Sequence, residues 1–374
     1  MKTISEIIGG AQVLLPLEYQ IQDSFSFLVT NKQRSFIHHL RVIEEYLPVL
    51  CHNQKTGNPY LGDPQFLRAF LAKSFYQDES TKNLIQRLQS DQNLREICGF
   101  RSLKGLSEST FSRRFTHFSD IGITEIIHEK MVKDILKDEL VGHLSRDSTS
   151  ISTREKPVNK KKEVKITKKK RGRPKKDEHR VKEQTIIEQQ MDLSASDALN
   201  LLNKDAAWGG KRNSAGNPMY WKGYKLHLDV TDYGLPVTAI LTGANIHDSQ
   251  LAIPMERIST ERVNYCYTLM DAAYNSPFIE KNATSLGHVT VIDPKKPKGG
   301  KKIPLDPAKQ HRYKIRSTVE RANSHLKDSF FSKRIYARKH EKVYFELMCG
   351  VLCLTAQKVI QYFILPQLTS QLVI

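Results

Sequence analysis

Apolar residues recur at helical spacing in the N-terminal third of the chain. In the stretch DPQFLRAFLAKSFY, Phe66, Leu67, Phe70 and Phe75 repeat at intervals close to one helical turn. This spacing predicts an amphipathic helix. Because similar patterning extends over residues 1–138, we expect an all-helical N-terminal domain there.

The pattern changes to alternation in the second half of the chain. The stretch YKLHLDVTDYGLPVTAILTG alternates on both sides of Asp232, Tyr233 and Gly234, which predicts a β-hairpin with Gly234 in its turn. YCYTLMDAAY and HVTVIDPK are typical of two further short strands, and HRYKIRSTVERANSHLKDSF of a long helix. Together with a first strand in HLSRDSTSI, they predict a mixed sheet flanked by helices, an α/β domain over residues 139–374.

The most apolar segment, FELMCGVLCLTAQKVIQYFI, lies near the C-terminus. Glu346, Gln357, Lys358 and Gln361 interrupt it, so it falls short of an uninterrupted membrane span of about 20 residues. A buried C-terminal helix is the prediction. No membrane partner is expected, and the N-terminus lacks the pattern of a signal peptide, which favours a cytoplasmic protein.

Charge narrows the choice of partner. The 374 residues include 58 Lys or Arg against 40 Asp or Glu, a formal net charge of +18, which favours nucleic acid. In residues 154–176 we count 13 cations against 2 glutamates. Such a run cannot bury apolar surface, so residues 154–190 are predicted to be a basic, disordered linker inserted after the first strand of the α/β domain.

The centre of this linker, KKKRGRPKK, reproduces the core of an AT-hook through Arg171, Gly172, Arg173 and Pro174. Glycine and proline keep such a peptide extended, while two arginines reach into the narrow minor groove of A·T-rich DNA. A solvated basic linker and a nuclear localisation signal have similar sequences, so these alternatives stay open.

A second set of candidate DNA contacts lies in GLSESTFSRRFTHF. Ser107 is suited to cap a helix from which Arg113 and Arg114 project. Exposed arginines on a helix can contact phosphates or enter a groove. The alternative is an ordinary helical domain with a charged, solvated face.

The spacing of Tyr313, Arg316, Glu320 and Lys327 in YKIRSTVERANSHLKD is the most informative feature of the chain. Intervals of three, four and seven residues fall on one side of an α-helix. An acid, two cations and a phenol therefore face one direction, an arrangement suited to metal and phosphate.

Two aspartates outside this helix complete the candidate site: Asp147 and Asp271, each predicted at the end of a short strand. The chain here resembles the DDE transposases of bacterial insertion sequences, in the branch with a Tyr-x2-Arg-x3-Glu-x6-Lys signature, all of whose residues are present. The resemblance implies a ribonuclease-H-like catalytic core. It also implies that the helical N-terminal domain contacts the transposon end.

The resemblance implies two-metal phosphoryl transfer by Asp147, Asp271 and Glu320. Two divalent ions about 3.5–4 Å apart can stabilise the attacking and the leaving oxygen together, and Mg²⁺ prefers oxygen ligands. We expect Asp147 to bridge two Mg²⁺ ions, with Asp271 on one and Glu320 on the other. Mn²⁺ should substitute. Water would cleave DNA at the element's end, and the freed 3′-hydroxyl would attack target DNA.

The remaining signature residues are expected to bind DNA. Arg316 and Lys327 would hold phosphates of the transposon end, and Tyr313 would hydrogen-bond to a nucleotide or stack on it. The predicted partners are double-stranded DNA, as terminal repeats and as target, and a second copy of the chain in a homodimer on DNA, which would associate the protein with the nucleoid.

Two other functions fit parts of the pattern. A Mg²⁺-dependent nuclease without strand transfer needs the same carboxylates, and a non-catalytic protein that binds A·T-rich DNA needs only the linker. Only 49 residues separate Asp271 from Glu320, which leaves no room for the β-rich insertion of some relatives. Two further residues have two interpretations each: Asp248 is expected to cap the following helix, with a fourth carboxylate as the alternative, and Trp208 is expected to pack, with exposure beside DNA as the alternative.

Overall fold

The computed structural model describes residues 28–47, 63–103, 106–156, 184–212, 215–294, 299–300 and 304–366. Its N-terminal part is helical, as predicted. Ser107 caps the fifth helix by accepting a hydrogen bond from the backbone N of Thr110 at 3.3 Å. Its six α-helices within the described residues are α1 Asn31–Glu44, α2 Asp63–Phe75, α3 Thr81–Ser90, α4 Gln92–Ile97, α5 Glu108–Ile121 and α6 Ile123–Ile135.

A six-stranded mixed sheet follows, in the order β2-β3-β1-β5-β6, with β4 paired to β3. β1 is parallel to β5 and antiparallel to β3, and β3 and β4 form the predicted hairpin. Gly234 lies in its turn with a φ of 84°. The strands are β1 Leu140–Ser152, β2 Ala207–Arg212, β3 Pro218–Val230, β4 Pro236–Gly243, β5 Asn264–Met270 and β6 Val289–Ile292. With its flanking helices, this sheet is consistent with the predicted ribonuclease-H-like α/β core.

Seven further α-helices surround this sheet in the described part of the chain. α7 lies inside the range predicted to be a disordered linker, 154–190. It forms because Thr185 and Glu188 make a capping box, and Arg257 donates to the backbone O of Gln190. The helices are α7 Ile186–Gln190, α8 Ala195–Asn200, α9 Ala252–Arg262, α10 Pro277–Ser285, α11 Pro307–Tyr313, α12 Ser317–His325 and α13 His340–Val359.

The predicted long helix with the four-residue signature is one helical stretch with two irregular turns. α11 continues through a 3-10 turn, Lys314–Arg316, into α12, and α12 ends in a π turn, Leu326–Phe330. A π turn widens the helix, and Lys327 lies within it.

α13 is the buried C-terminal helix that the sequence predicts. Val351, Leu352 and Cys353 have no exposed surface. One side of α13 packs against α1, α2, α5 and α6, and it also packs against β4. The N-terminal helices and the sheet therefore share one continuous hydrophobic core. Among the described residues, 340–364 are the one helical stretch long and apolar enough to cross a membrane, and most of it is buried in this core.

A buried ion pair joins the N-terminal helices to α13. Nζ of Lys73 in α2 lies 2.5 Å from Oε1 of Glu346, and the two side chains are only 5% and 9% exposed. Removing one partner of a buried pair leaves a charge without compensation, which is costly. This contact therefore fixes how α2 is seated on α13.

We expect Glu346→Gln to lower the free energy of unfolding by about 3–5 kcal/mol, because it leaves the Lys73 ammonium without a counter-charge. Urea unfolding of the full chain measures this loss. Lys133→Met, which removes an exposed pair with Glu129, is the control and should cost about 0.5 kcal/mol. Equal losses in the two variants would contradict the role of the buried pair.

His128 connects α6 to β4, since its Nε2 lies 3.1 Å from the backbone O of Pro236. Burial lowers the pKa of His128 from 6.5 to about 3. The folded protein therefore holds this imidazole neutral between those values, whereas the unfolded chain protonates it. Because the unfolded state binds more protons in this window, stability falls as the pH falls below about 6.5.

We expect His128→Gln to weaken the acid sensitivity of the fold. At pH 5, wild type should have lost about 2 kcal/mol through this one group, and the variant should lack that part of the loss. Urea unfolding at pH 7.5 and pH 5.0 measures the difference, with exposed His311→Gln as the control. An unchanged pH dependence in His128→Gln would refute this explanation.

Candidate active site

β1 and β5 bring the two predicted aspartates together. Their parallel register pairs Ser145 with Leu269, so two residues further along Asp147 lies beside Asp271. β5 ends at Met270, and Asp271 caps the following 3-10 turn by accepting a hydrogen bond from the backbone N of Ala273 at 2.9 Å. The two carboxylates therefore meet at the carboxyl end of β5.

The position of Asp147 within its strand differs from the prediction. Asp147 lies in the middle of the 13-residue strand β1, not at its end. The reason is the antiparallel pairing with β3, which continues to Ser152 opposite Gly223. Beyond Met270, β5 no longer covers β1, so the edge of the sheet is open beside Asp147.

α12 carries the third carboxylate to this edge, and Arg316 connects it to β1. Nη1 of Arg316 donates to Oε1 of Glu320 at 2.6 Å, and Nη2 lies 3.5 Å from Oδ1 of Asp147. Ser145 donates to the backbone O of Ile315 at 3.3 Å, which seats the helical stretch on the strand. Strand and helix thus place two carboxylates on either side of one guanidinium.

Burial governs the electrostatics of this site. It raises the pKa of Asp147 to about 6, while the Arg316 guanidinium opposes that rise and the charge of Asp271 adds to it. Burial raises the pKa of Tyr313 to about 12, and the charges of Asp271 and Glu320 contribute. Burial and the repulsion of Lys211 lower the pKa of Lys327, which the charge of Asp147 opposes. Tyr313, Arg316 and Lys327 therefore lie within electrostatic reach of the aspartates, and Glu320 is connected to Asp147 through Arg316.

Tyr274 is a site residue that the sequence pattern did not single out. Its ring is fully buried, and within the described residues its hydroxyl has no hydrogen-bond partner. Burial raises its pKa well above the usual value, and the charges of Asp147 and Asp271 add to the rise. The only feature of the sequence that could have pointed to Tyr274 is its position three residues after Asp271.

The opposite face of β1 is held by a buried ion network. The guanidinium of Arg146 donates to both carboxylate oxygens of Asp229 at 2.7 Å and to the backbone O of Ala252 at 2.9 Å. It also lies 2.9 Å from Glu256. These contacts fasten β1 to β3 and α9 immediately beside Asp147.

The structure resolves the two ambiguous residues. His247, not Asp248, caps the 3-10 turn Asp248–Leu251, whereas the carboxylate of Asp248 accepts from Nζ of Lys225 at 2.9 Å. The expected cap by Asp248 is therefore wrong. Trp208 is 62% exposed, so it does not pack in the core.

The other candidate DNA contacts belong to α5 and to the basic segment. Arg113 is exposed on α5, but Arg114 donates to Oδ1 of Asp63 at 2.7 Å and therefore helps to hold α5 on α2. Arg171 and Arg173 lie outside the described residues.

The donor set suits a hard divalent cation, although the carboxylates are not arranged around one. Among the described residues, no three Asp, Glu, His or Cys side chains are close enough together to hold a metal. The Arg316 guanidinium lies between Glu320 and Asp147. Within the same residues, Nε of Arg316 and the Tyr274 hydroxyl have no hydrogen-bond partner. Carboxylate oxygens suit Mg²⁺ as ligands, and Mg²⁺ keeps several waters. The unpaired N–H and O–H groups nearby could donate hydrogen bonds to such waters.

Comparison with known families points to one match. The model of a family described as the transposase DDE domain matches residues 142–356, more than half of the chain. The matched range includes Asp147, Asp271, Glu320 and the other signature residues. No curated protein and no solved structure matches the chain significantly.

We expect Arg316→Gln to tighten Mn²⁺ binding by the DNA-free protein roughly fivefold, because a cation no longer competes with the guanidinium for Glu320 and Asp147. Isothermal titration calorimetry with the full chain measures the affinity. Arg321→Gln is the matched control, since Arg321 lies on the same helix and, within the described part of the chain, hydrogen-bonds only to Thr318. Unchanged or weaker Mn²⁺ binding by Arg316→Gln would count against the competition.

Proposed function

The chain belongs to the family of transposases with a DDE domain, and on that premise we propose that it binds the ends of an insertion sequence, cleaves DNA there and transfers the strand with the free 3′-hydroxyl to target DNA. The observation that carries this proposal is that Asp147 and Asp271 lie on neighbouring strands at the carboxyl end of β5, where Arg316 connects Glu320 to Asp147. Members of this family use divalent metal ions and act on DNA.

We propose that Asp147, Asp271 and Glu320 hold two Mg²⁺ ions, for which Mn²⁺ can substitute. When bound, these ions stabilise the charge on the attacking and the leaving oxygen of the phosphodiester. Asp147 belongs to a strand fixed on both sides, and Asp271 is held by the backbone N of Ala273. Glu320 is the least constrained of the three, because its side chain is 56% exposed and bound only by Arg316 among the described residues.

The cations of the signature then exchange partners when DNA binds. Arg316 can offer a phosphate two parallel donors, which would free Glu320 and Asp147 for metal. Lys327 is exposed near Asp147 and Lys211, so it can contact the next phosphate. The phenol of Tyr313, near Asp271 and Glu320, is placed to bind a nucleotide at the cleaved end.

Further DNA contacts outside the site belong to the same proposal. The segment with Arg171 and Arg173 follows β1, the strand of Asp147, and ends at α7, which is tied to α9. An AT-hook there would be tethered at both ends to the catalytic domain. Because two transposon ends must be held together for paired cutting, we also propose a homodimer on DNA.

We expect wild type with Mg²⁺ to nick a labelled duplex at the element's own terminal repeat and to join that end to other DNA. Glu320→Gln should bind the duplex but lose both reactions by about 10²–10³-fold or more, the loss that follows removal of one group that stabilises charge in a transition state. Gel analysis of the labelled strand separates nicked from joined products.

Glu261→Gln, at an exposed position on α9, is the control and should retain both reactions. Nicking without joining by wild type would favour a Mg²⁺-dependent nuclease instead. Equal activity of wild type and Glu320→Gln would refute a catalytic role for these carboxylates, and binding of A·T-rich DNA would become the leading function.

A further inference from the structure

A two-stranded arm extends the sheet beyond the end of β1. We define the arm as residues 207–212 of β2 and 218–223 of β3, which pair antiparallel from Ala207 opposite Gly223 to Arg212 opposite Pro218. β1 makes its last pair with β3 at Ser152 opposite Gly223. The rest of the arm therefore lies past the end of the strand that carries Asp147.

One face of the arm carries two exposed aromatic rings between two cations. The register places Trp208 opposite Lys222, Gly210 opposite Tyr220 and Arg212 opposite Pro218. Residues that pair directly, and every second residue along a strand, share a face. Trp208 is 62% exposed and Tyr220 is 74% exposed. We call Trp208, Tyr220, Arg212 and Lys222 the aromatic face.

Glycines decide which rings pack and which remain free. A Cβ on Gly209 would lie 2.4 Å from the Trp221 ring, and the Trp221 indole N donates to the backbone O of Tyr224 at 3.0 Å. Trp221 therefore lies flat on the arm. A Cβ on Gly210 would lie 3.1 Å from the Tyr220 ring, so Tyr220 crosses its partner strand and presents its other side to solvent.

The charge of the arm indicates which partner would cover this face. The described arm contains Lys211, Arg212 and Lys222 and no Asp or Glu. A second copy of the chain would bring the same cations against it, whereas a nucleic acid strand brings phosphates. Lys211 is not part of the aromatic face, because it pairs with Met219 on the other face of the arm. It lies close enough to Lys327 for its charge to lower the pKa of Lys327, so that other face of the arm is the one near the signature helix.

We propose that the aromatic face binds unpaired nucleotides of the DNA strand next to the cleavage site. Bases would stack on Trp208 and Tyr220, and Arg212 and Lys222 would contact the phosphates between them, the combination by which proteins hold single strands. Five residues of β1 separate Asp147 from Ser152, about 17 Å at 3.3 Å per residue, a span of roughly five stacked nucleotides. This inference rests on the proposed function, because it takes DNA as the substrate.

Intrinsic fluorescence tests the contact directly, since the chain has only two tryptophans. Trp221→Phe in a Glu320→Gln background leaves Trp208 as the one reporter and prevents cleavage. In EDTA, a single-stranded oligonucleotide should quench Trp208 fluorescence through stacking, and a blunt duplex should quench it much less. A duplex with an unpaired end of about five nucleotides should behave like the single strand.

Substitutions measure how much affinity the rings contribute. In the Glu320→Gln background, Trp208→Ala and Tyr220→Ala should each weaken single-strand binding roughly 5- to 100-fold, with little effect on the blunt duplex. Fluorescence anisotropy of labelled DNA reports both affinities. Leu140→Ala removes another exposed apolar side chain, 70% exposed at the opposite end of the sheet, and should leave both affinities unchanged.

Three results would overturn the proposal. They are no quenching of Trp208 by single strands, equal losses on single strands and duplexes, and loss of self-association with unchanged DNA affinity, which would assign the face to a second copy of the chain. The test is independent of catalysis. If wild type does not join DNA but Trp208 and Tyr220 still bind single strands, the proposed function is refuted and the inference about the aromatic face is not.

Discussion

The buried ion network of Arg146 is the constraint on which the candidate active site depends. Arg146 and Asp229 have no exposed surface and Glu256 is 2% exposed, so this charge is tolerable only while it is fully paired. Because successive residues of a strand point to opposite faces, a slip of β1 by one residue would expose the network on one face and bury Asp147 on the other. The network therefore fixes the register that sets Asp147 beside Asp271. In this way Arg146 stabilises the position of its neighbour in the chain, the candidate catalytic residue Asp147.

Arg316 explains how Glu320 and Asp147 can lie close together without DNA. Like charges repel, and burial, to which the charge of Asp271 adds, raises the pKa of Asp147 to about 6 although the Arg316 guanidinium opposes the rise. A guanidinium between Glu320 and Asp147 relieves this repulsion. The planar guanidinium of Arg316 can also bind a phosphate with two parallel donors. The group that stabilises the DNA-free site is therefore also one that can leave the carboxylates to bind a DNA end. In the proposed function, the substrate and the metal therefore favour each other's binding.

Local pattern predicted the elements well, because alternation and helical spacing act over a few residues. It predicted the β3–β4 hairpin, the cap at Ser107 and the burial of α13. What it could not predict depends on distant partners. Arg114 donates a hydrogen bond to Asp63, which lies 51 residues away in the chain. β1 continues past Asp147 because β3 pairs with it there. The outcome for Asp248 followed from Lys225, 23 residues earlier in the chain.

Trp208 shows why exposure is the hardest property to read from sequence. A tryptophan beside two glycines suggests packing, since glycine lets a large ring lie close to the backbone. Here Gly209 does receive a ring, but that ring is Trp221 from the paired strand, so Trp208 remains exposed on the other face. The arm and the start of the basic linker lie beyond Asp147 toward the carboxyl end of β1, and Lys327 lies near Asp147 and Lys211. Because all three features are cationic, they mark the side of the molecule that would face DNA in the proposed function.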